Sequence, residues 1–294
     1  MSGCKIAKVD YANPSTIVSA LHGIDALIIT MNARVPIEVD QLLIRAAADA
    51  GVAFILPNDW GLDYENAELG KGALIADGKR KDHAFLNELV AEKEKQGQSL
   101  AWIGVCTGFW YEWSLPVANA WGFDFENKIV TLVDGGQRVQ NTSTFEQVGR
   151  GVAALLSLPI KKEGGGGACL VDYKNGSIYI SSFLLSQREM FESVLRVTGD
   201  KESDWTVKHE EYQERYEAGL AAMKAGDRMG FVQAMYTRGS FWPDEAGAFE
   251  KTRSLANEAL GLPKEELDSA TKRAVEGAMA QLERLKGYSA EKTS

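Results

Sequence analysis

The chain has 294 residues, 45% of them hydrophobic, so it can bury one large core or two closely packed smaller ones. Its 32 lysines and arginines are outnumbered by 41 aspartates and glutamates, and the net charge of -9 excludes the basic field that attracts nucleic acid. The cysteines are isolated, which excludes a disulfide framework and a zinc site, and there is neither a secretory signal nor an apolar run of about 18 residues. We therefore expect a cytoplasmic protein without membrane or nucleic-acid partners.

The first predicted elements alternate between strand and helix. A strand-like run covers Lys5 to Asp10, and Asn13-Pro-Ser-Thr then caps a helix that ends at His22-Gly23. The apolar strand Ala26 to Met31 follows. This alternation predicts a parallel sheet with helices on both faces.

The same spacing continues to about residue 115 and then changes. The next predicted elements are a helix over 35–51, a strand over 53–56, a helix over 82–95 and a strand over 100–105. Beyond them we expect a hairpin over 128–141, a helix over 145–156 capped by Thr144, a strand over 169–173, and mostly helix over 200–294. The sequence thus predicts a Rossmann-like doubly wound α/β core over 1–125. A smaller, mainly helical substrate region over 126–294 is expected to be partly interleaved with that core.

The glycine-rich turn that normally opens such a fold is not found at its expected place. Doubly wound dinucleotide-binding domains begin with a strand, a G-x-x-G-x-x-G turn and a helix, whose N-terminus holds the pyrophosphate. Here only Met1 to Cys4 stand before the first strand-like run. We therefore expect an N-terminally truncated sheet, such as an incomplete gene model lacking about 45–60 residues would give. The activity of the chain as it stands is left open.

Residues that directly follow the predicted strands are the first candidates for ligand binding, because ligands of open parallel sheets sit beyond the carboxyl ends of the strands. These turns combine small or polar residues with apolar or aromatic ones that can cover a planar ring. The alternative is that they are ordinary turn residues. The predicted cofactor-binding residues are Asp10, Tyr11, Thr30, Met31, Asn32, Pro57, Asn58, Asp59, Trp60, Thr107 and Gly108.

The segment that follows the strand over 100–105 is unusually aromatic. It reads Gly108-Phe-Trp-Tyr-Glu-Trp113, and we expect Phe109, Trp110 and Trp113 to contact a planar apolar substrate. Packing of the C-terminal helices is an equal alternative.

Four of these segments together resemble a known protein family. They are Val9 to Tyr11, Ala20 to Thr30, Phe54 to Gly61 and Leu100 to Phe109. In order and spacing they are similar to the NmrA-like, isoflavone-reductase-like group of atypical short-chain dehydrogenases, over about residues 5 to 185. The resemblance implies a reductase that uses NADP or NAD, or, as in some members, a nucleotide-sensing regulator without catalysis.

The resemblance also implies a functional lysine after the Pro57 to Gly61 turn, and Lys79 matches it best, with Lys81 as the neighbouring alternative. A cation there can hold a ribose hydroxyl and pass a proton to the atom that hydride transfer leaves negative. The other interpretation is a solvated basic cluster. A Tyr-x-x-x-Lys pair is absent here, since Ile75 and Asp77 hold the tyrosine positions. His83 can assist Lys79, although a histidine on a helix surface is more often structural.

The sequence therefore predicts an NAD(P)H-dependent reductase of a small aromatic or polyketide-like metabolite. Lys79 is its expected catalytic residue and a further contact to the cofactor. The alternative is a non-catalytic dinucleotide-sensing or partner-binding regulator. No metal site is expected.

Overall fold

A computed structural model describes residues 3–32, 34–70, 72–162 and 166–291, with side chains up to Met279. The strands are β1 (Ala26–Ile28), β2 (Phe54–Leu56), β3 (Ala101–Cys106), β4 (Phe109–Trp110), β5 (Phe123–Asp124), β6 (Ile129–Val133), β7 (Val139–Ser143), β8 (Gly176–Tyr179), β9 (Phe183–Ser186) and β10 (Thr206–Glu210). The α-helices are α1 (Pro14–Leu21), α2 (Ile37–Ala50), α3 (Ala67–Gly70), α4 (Ala76–Lys95), α5 (Tyr111–Ser114), α6 (Ala118–Trp121), α7 (Phe145–Leu156), α8 (Gln187–Thr198), α9 (Tyr212–Lys224), α10 (Arg228–Ser240) and α11 (Leu267–Glu291).

The chain divides into two compact units, each built from separated segments. The first comprises Met1–Trp60, Ile75–Cys106 and Leu158–Ile178, and the second comprises Gly61–Leu74, Thr107–Ser157 and Tyr179–Ser294. The expected assignment of cofactor binding to 1–125 and substrate binding to 126–294 is a functional division and stays a prediction.

The first unit has a four-stranded sheet in the order β1-β2-β3-β8, in which the β1–β2 and β2–β3 pairs are parallel. Helix α2 stops at Gly51, whose φ of 82° turns the chain toward β2. Leucines of α4 pack with α2 and the sheet, each burial contributing about 2 kcal/mol. The core residues are Ile29, Ile44, Ala47, Ala48, Val52, Ile55, Leu86, Leu89, Leu100 and Trp102. The predicted α/β fold with a parallel sheet is confirmed.

The second unit contains two three-stranded sheets and most of the helices. In one sheet, β6 lies between β10, which is parallel to it, and β5, which is antiparallel. In the other, β7 lies between β4, which is parallel, and β9, which is antiparallel. Helix α7 has the predicted bounds, and Thr144 accepts a hydrogen bond from the Gln147 N–H as its N-cap.

Two predicted strands are wrong. Residues 5–10 belong to no sheet of the described chain, and Ile6 is 98% exposed, because no neighbouring strand supplies backbone partners. Residues 170–172 form a 3₁₀ turn, since the Asp172 carboxylate accepts the Cys169 N–H and holds the backbone in a turn. The nearby strand is β8, which begins at Gly176.

The predicted hairpin over 128–141 is also wrong. Its two halves, β6 and β7, lie in different sheets. The turn over Asp134–Gly136 has positive φ at all three residues and directs the chain into the second sheet rather than back along β6. Two smaller differences are that α4 begins at Ala76, six residues before the predicted start at Asp82, and that the helical C-terminal region contains β10.

Candidate active site

The carboxyl ends of β1 and β2 are joined by two side chains from the turn after β2. The Asn58 Oδ1 accepts the Met31 N–H at 3.0 Å, and the Trp60 Nε1–H donates to the Ile29 carbonyl at 2.6 Å. These bonds hold together the two turns in which the sequence predicts a cofactor. Helix α2 follows β1, and α4 is placed at the same edge by two contacts, from Lys79 to Asp40 in the first turns of α4 and α2, and from His83 to Asp59 after β2.

Lys79, in the first turn of α4, forms a buried ion pair with Asp40 of α2. Lys79 Nζ lies 3.0 Å from Asp40 Oδ2, and Lys79 is only 6% exposed. Lys79 is therefore not part of a solvated basic cluster, whereas Lys81 is exposed. Burying two charges is costly, and their attraction offsets that cost only when the pair is complete.

His83 lies one turn further along α4 and is buried, not on the helix surface. Its Nε2 is 2.8 Å from Asp59 Oδ2, and its ring stacks on Trp102 with centroids 4.6 Å apart. Asp59 in turn lies against Gly104 of β3, where an added Cβ would come within 2.7 Å of Asp59 Oδ2. The close approach of that carboxylate to the sheet thus requires glycine at position 104.

A third carboxyl group of the site belongs to Asp82, which lies between Lys79 and His83 in the sequence of α4. Burial raises its pKa to about 6; the Lys79 charge opposes this rise, and the neighbouring Asp40 and Asp59 charges add to it. Asp82 can therefore exchange a proton near neutral pH, as an acid–base group must.

Unpartnered polar atoms are concentrated in this cluster. Six buried side-chain atoms of the described residues lack a protein hydrogen-bond partner, and four belong here, namely Asp40 Oδ1, Asn58 Nδ2, Asp59 Oδ1 and Asp82 Oδ1. Each such atom costs about 1–3 kcal/mol unless a ligand or water satisfies it. The cluster therefore holds one donor and three acceptors without a protein partner. In the described part of the chain, no group of three or more His, Cys, Asp or Glu is arranged to hold a metal ion.

The predicted cofactor residues of the first unit are only partly assembled. Met31, Asn58, Asp59, Trp60 and Lys79 belong to the site just described, with the buried Pro57 and the exposed Thr30 and Asn32 beside them in sequence. The structure does not bring Asp10 and Tyr11 into this cluster; they lie in an exposed turn.

Sequence reasoning missed Asp40 and Asp82 and gave His83 too little weight. The sequence signal for Asp82 and His83 is their spacing, because they follow Lys79 by three and four residues and so share one face of a helix with it. Asp40 carries no such signal, since it is 39 residues from Lys79 in the sequence.

The remaining predicted residues belong to the second unit. Gly108 has a φ of +67°, and a Cβ there would lie 2.1 Å from the Asn141 carbonyl oxygen, so packing alone requires glycine. The Thr107 carbonyl accepts the Ser143 hydroxyl at 2.6 Å. Phe109 is buried and stacks on Tyr236, with ring centroids 3.8 Å apart, as the packing alternative expects.

Two of the predicted aromatic residues are more accessible. Trp110 meets Phe145 edge to face, with centroids 5.1 Å apart, and the Trp113 ring is half exposed.

Several solved structures with the same architecture are named reductases or oxidoreductases. The NADPH-dependent quinone oxidoreductase QOR2 from Escherichia coli, solved with NADPH, aligns with a TM-score of 0.62 at 15% identity, over 92% of this chain and 83% of its own. An isoflavone reductase aligns with a TM-score of 0.66 at 16% identity, over 91% of this chain and 80% of its own. The chain has the isoflavone-reductase-like fold. AtPrR2, solved with NADP+ and (+)pinoresinol, shares this fold with a TM-score of 0.63 at 16% identity, over 92% of this chain and 81% of its own.

Curated relatives of this chain are named oxidoreductases. Oxidoreductase aprR of Aspergillus flavus is 24% identical over 263 residues, which is 88% of this chain and 80% of the relative. Oxidoreductase poxI of Penicillium oxalicum is 26% identical over 275 residues, which is 91% of this chain and 79% of the relative. No protein-family profile matches the chain. None of the described helices has the length and apolar character needed to cross a bilayer.

Proposed function

We propose that this chain is an NAD(P)H-dependent reductase of the isoflavone-reductase-like type that acts on a small aromatic or polyketide-like metabolite. The observation that carries the proposal is the buried ionisable cluster of Asp40, Asp59, Lys79, Asp82 and His83 at the carboxyl edge of a parallel sheet. The shared fold and the oxidoreductase names of the relatives support it.

The nicotinamide end of the cofactor would be held by residues after β1 and β2. Asn58 offers a buried amide N–H, and Asp59 offers a buried carboxylate oxygen, neither of which has a protein partner. Met31 and Trp60 provide apolar and aromatic surface in the same turns. When bound, the nicotinamide supplies a hydride to the substrate.

Lys79 is the proposed proton donor. Its Nζ holds a proton that Asp40 stabilises from 3.0 Å. Lys79 passes this proton to the substrate atom that becomes negative, and Asp82, three residues away, is the carboxyl group that exchanges protons near neutral pH. Asp59 orients His83, which completes the ionisable cluster without a direct role at the reacting atom.

The test is titration of the purified chain with NADPH and with NADH, followed by tryptophan fluorescence, together with NADPH oxidation in the presence of quinones and aromatic enones. We expect saturable quenching and substrate-dependent oxidation. The Lys79→Met change should abolish oxidation, and Lys81→Met, an exposed lysine two residues away, should leave it intact. Absence of saturable quenching with either nucleotide would refute the proposal.

Because Lys79→Met leaves Asp40 buried without its counter-charge, a folding defect is a separate cause of lost activity. The double change Lys79→Met with Asp40→Leu removes both charges and keeps the fold testable. A double variant that binds the nucleotide but oxidises none of it supports the role of Lys79 as proton donor; full activity of the double variant excludes that role.

One observation favours a second candidate function, a non-catalytic dinucleotide-sensing or partner-binding regulator. The Lys79 ammonium is committed to Asp40 in a buried pair, which is also how a purely structural lysine is held. Saturable NADPH binding with no turnover of any quinone or enone would favour this function over the reductase.

A further inference from the structure

The second unit contains an open cavity of about 850 Å³, whose wall includes the aromatic residues Trp113, Phe123, Phe125 and Phe145. Three of its lining side chains are strongly exposed for large apolar residues, namely Trp113 at 48%, Phe145 at 46% and Met229 at 36%. Among the described residues of this unit, Met279 is the one other large apolar side chain this exposed. A cluster of exposed apolar side chains around one concavity marks a ligand site rather than a folding core.

The exposed aromatic rings of the wall pack against other aromatic side chains of the second unit. Trp113 stacks against the buried Tyr236, whose hydroxyl is 2.7 Å from the Ser114 hydroxyl. Phe145 packs against the edge of Trp110. Rings that are fixed by such contacts lose little rotational freedom when a ligand binds, so the wall is prepared for a planar aromatic group.

The ionisable groups of the wall are predominantly acidic. They comprise the cation Arg273 and the carboxylates Glu112, Asp124, Glu126 and Glu146. Arg273 lies 3.1 Å from Glu112, and Arg150 lies 2.7 Å from Glu146, so the charges within each of these pairs cancel. Asp124 accepts hydrogen bonds from the neutral backbone N–H and side-chain amide of Asn127, which leave its negative charge in place. The cavity thus combines aromatic faces with the negative charge of Asp124, and both attract a cation.

We propose that this cavity binds a planar aromatic cation, such as a nitrogen heterocycle with a quaternary nitrogen, with its ring against Trp113 and Phe145 and its charge compensated by Asp124. The inference stands on this unit alone and does not depend on the proposed reductase activity. An anionic aromatic compound of the same size is disfavoured by the same Asp124 carboxylate.

The test uses three matched probes on the full chain, 1-methylquinolinium, its uncharged isostere 1-methylnaphthalene, and 1-naphthalenesulfonate, with binding measured by calorimetry. We expect the cation to bind at least about tenfold more tightly than the isostere, and the sulfonate most weakly. The Trp113→Ala change should weaken binding of the cation by about tenfold or more, and Trp113→Phe, which keeps a ring, by less.

The charge contribution is tested with Asp124→Asn, which should weaken binding of the cation about three- to tenfold and leave the isostere unaffected. Glu88→Gln, on the exposed surface of α4 in the first unit, removes the same charge from a residue that does not line the cavity and should change nothing. Equal affinity for the cation and its isostere overturns the inference, as does an equal loss in Asp124→Asn and Glu88→Gln. If the cation test fails but NADPH still binds and is oxidised, the proposed function stands without the cation site. If the cation binds selectively but NADPH gives no response, the cation site stands without the proposed function.

Discussion

The Nε2 of His83 lies 2.8 Å from Oδ2 of Asp59, and both side chains are shielded from solvent. A pair of this kind is worth more than a surface contact, because neither partner can exchange its bond for one with bulk water. We expect a double-mutant cycle with Asp59→Ala and His83→Ala to give a coupling free energy of about 1–3 kcal/mol in urea unfolding. Additive effects of the two changes would show that the contact contributes nothing to stability.

Asp82 gives the stability a defined pH dependence. Its folded-state pKa of about 6 lies above the ordinary value of 3.8, so between these two values the folded protein binds a proton that the unfolded chain has released. This contribution favours the folded state at low pH and is lost as the pH rises from about 4 to about 6. Asp82→Asn should therefore be more stable than the wild type at pH 7, by about 1–3 kcal/mol, and equal to it near pH 4.

Denaturant unfolding at several pH values measures this difference. Glu88→Gln, which neutralises an exposed carboxylate of the same helix, is the control and should show no such pH dependence. A constant offset between Asp82→Asn and the wild type from pH 4 to pH 7 would contradict the prediction.

Two glycines of the first unit should respond in opposite directions to alanine. At Gly104 the new Cβ would lie 2.7 Å from both Asp59 Oδ2 and Ser177 Oγ, so Gly104→Ala should destabilise by about 1–3 kcal/mol. At Gly78 in α4, nothing lies within 4 Å of the new Cβ, and Gly78→Ala should stabilise by about 0.5–1 kcal/mol. Thermal unfolding of the two variants side by side tests the pair, and a loss of stability at both positions would count against it.

Removing one partner of the Lys79–Asp40 pair should destabilise the protein more than removing both. Lys79→Met leaves a buried carboxylate unpaired and should destabilise by about 3–5 kcal/mol, whereas adding Asp40→Leu should recover most of this loss. The measurement is the free energy of unfolding of the wild type, both single variants and the double variant. Should the double variant be less stable than either single variant, the two charges do not act as a pair.

Local sequence signals predicted the elements that depend on local interactions. Helix α7 has its predicted bounds because Thr144 supplies the cap and the apolar residues repeat with helical spacing. The alternation from α1 to β3 follows from the same kind of signal. Partner choice between strands is not local, which is why β6 and β7 were predicted as one hairpin although they pair with β10 and β9.

The residues of the candidate site also divide into those that local sequence predicts and those that depend on packing between distant elements. The turn residues Asn58 and Asp59 and the lysine Lys79 follow from strand ends and from the resemblance to known reductases. Asp40 could not be predicted as a partner, because only the packing of α2 against α4 places it 3.0 Å from Lys79 Nζ. The burial of His83 likewise depends on Trp102, a residue of β3 that covers its ring.

The stacking of Trp102 on His83 also gives the protein an internal optical probe. An imidazole ring in contact with indole changes its emission, and these two ring centroids are 4.6 Å apart. Light emitted by Trp102 should therefore report whether His83 of α4 stays stacked on β3. A variant that keeps Trp102 as its single tryptophan would turn this contact into a local record of the separation of α4 from the sheet during unfolding.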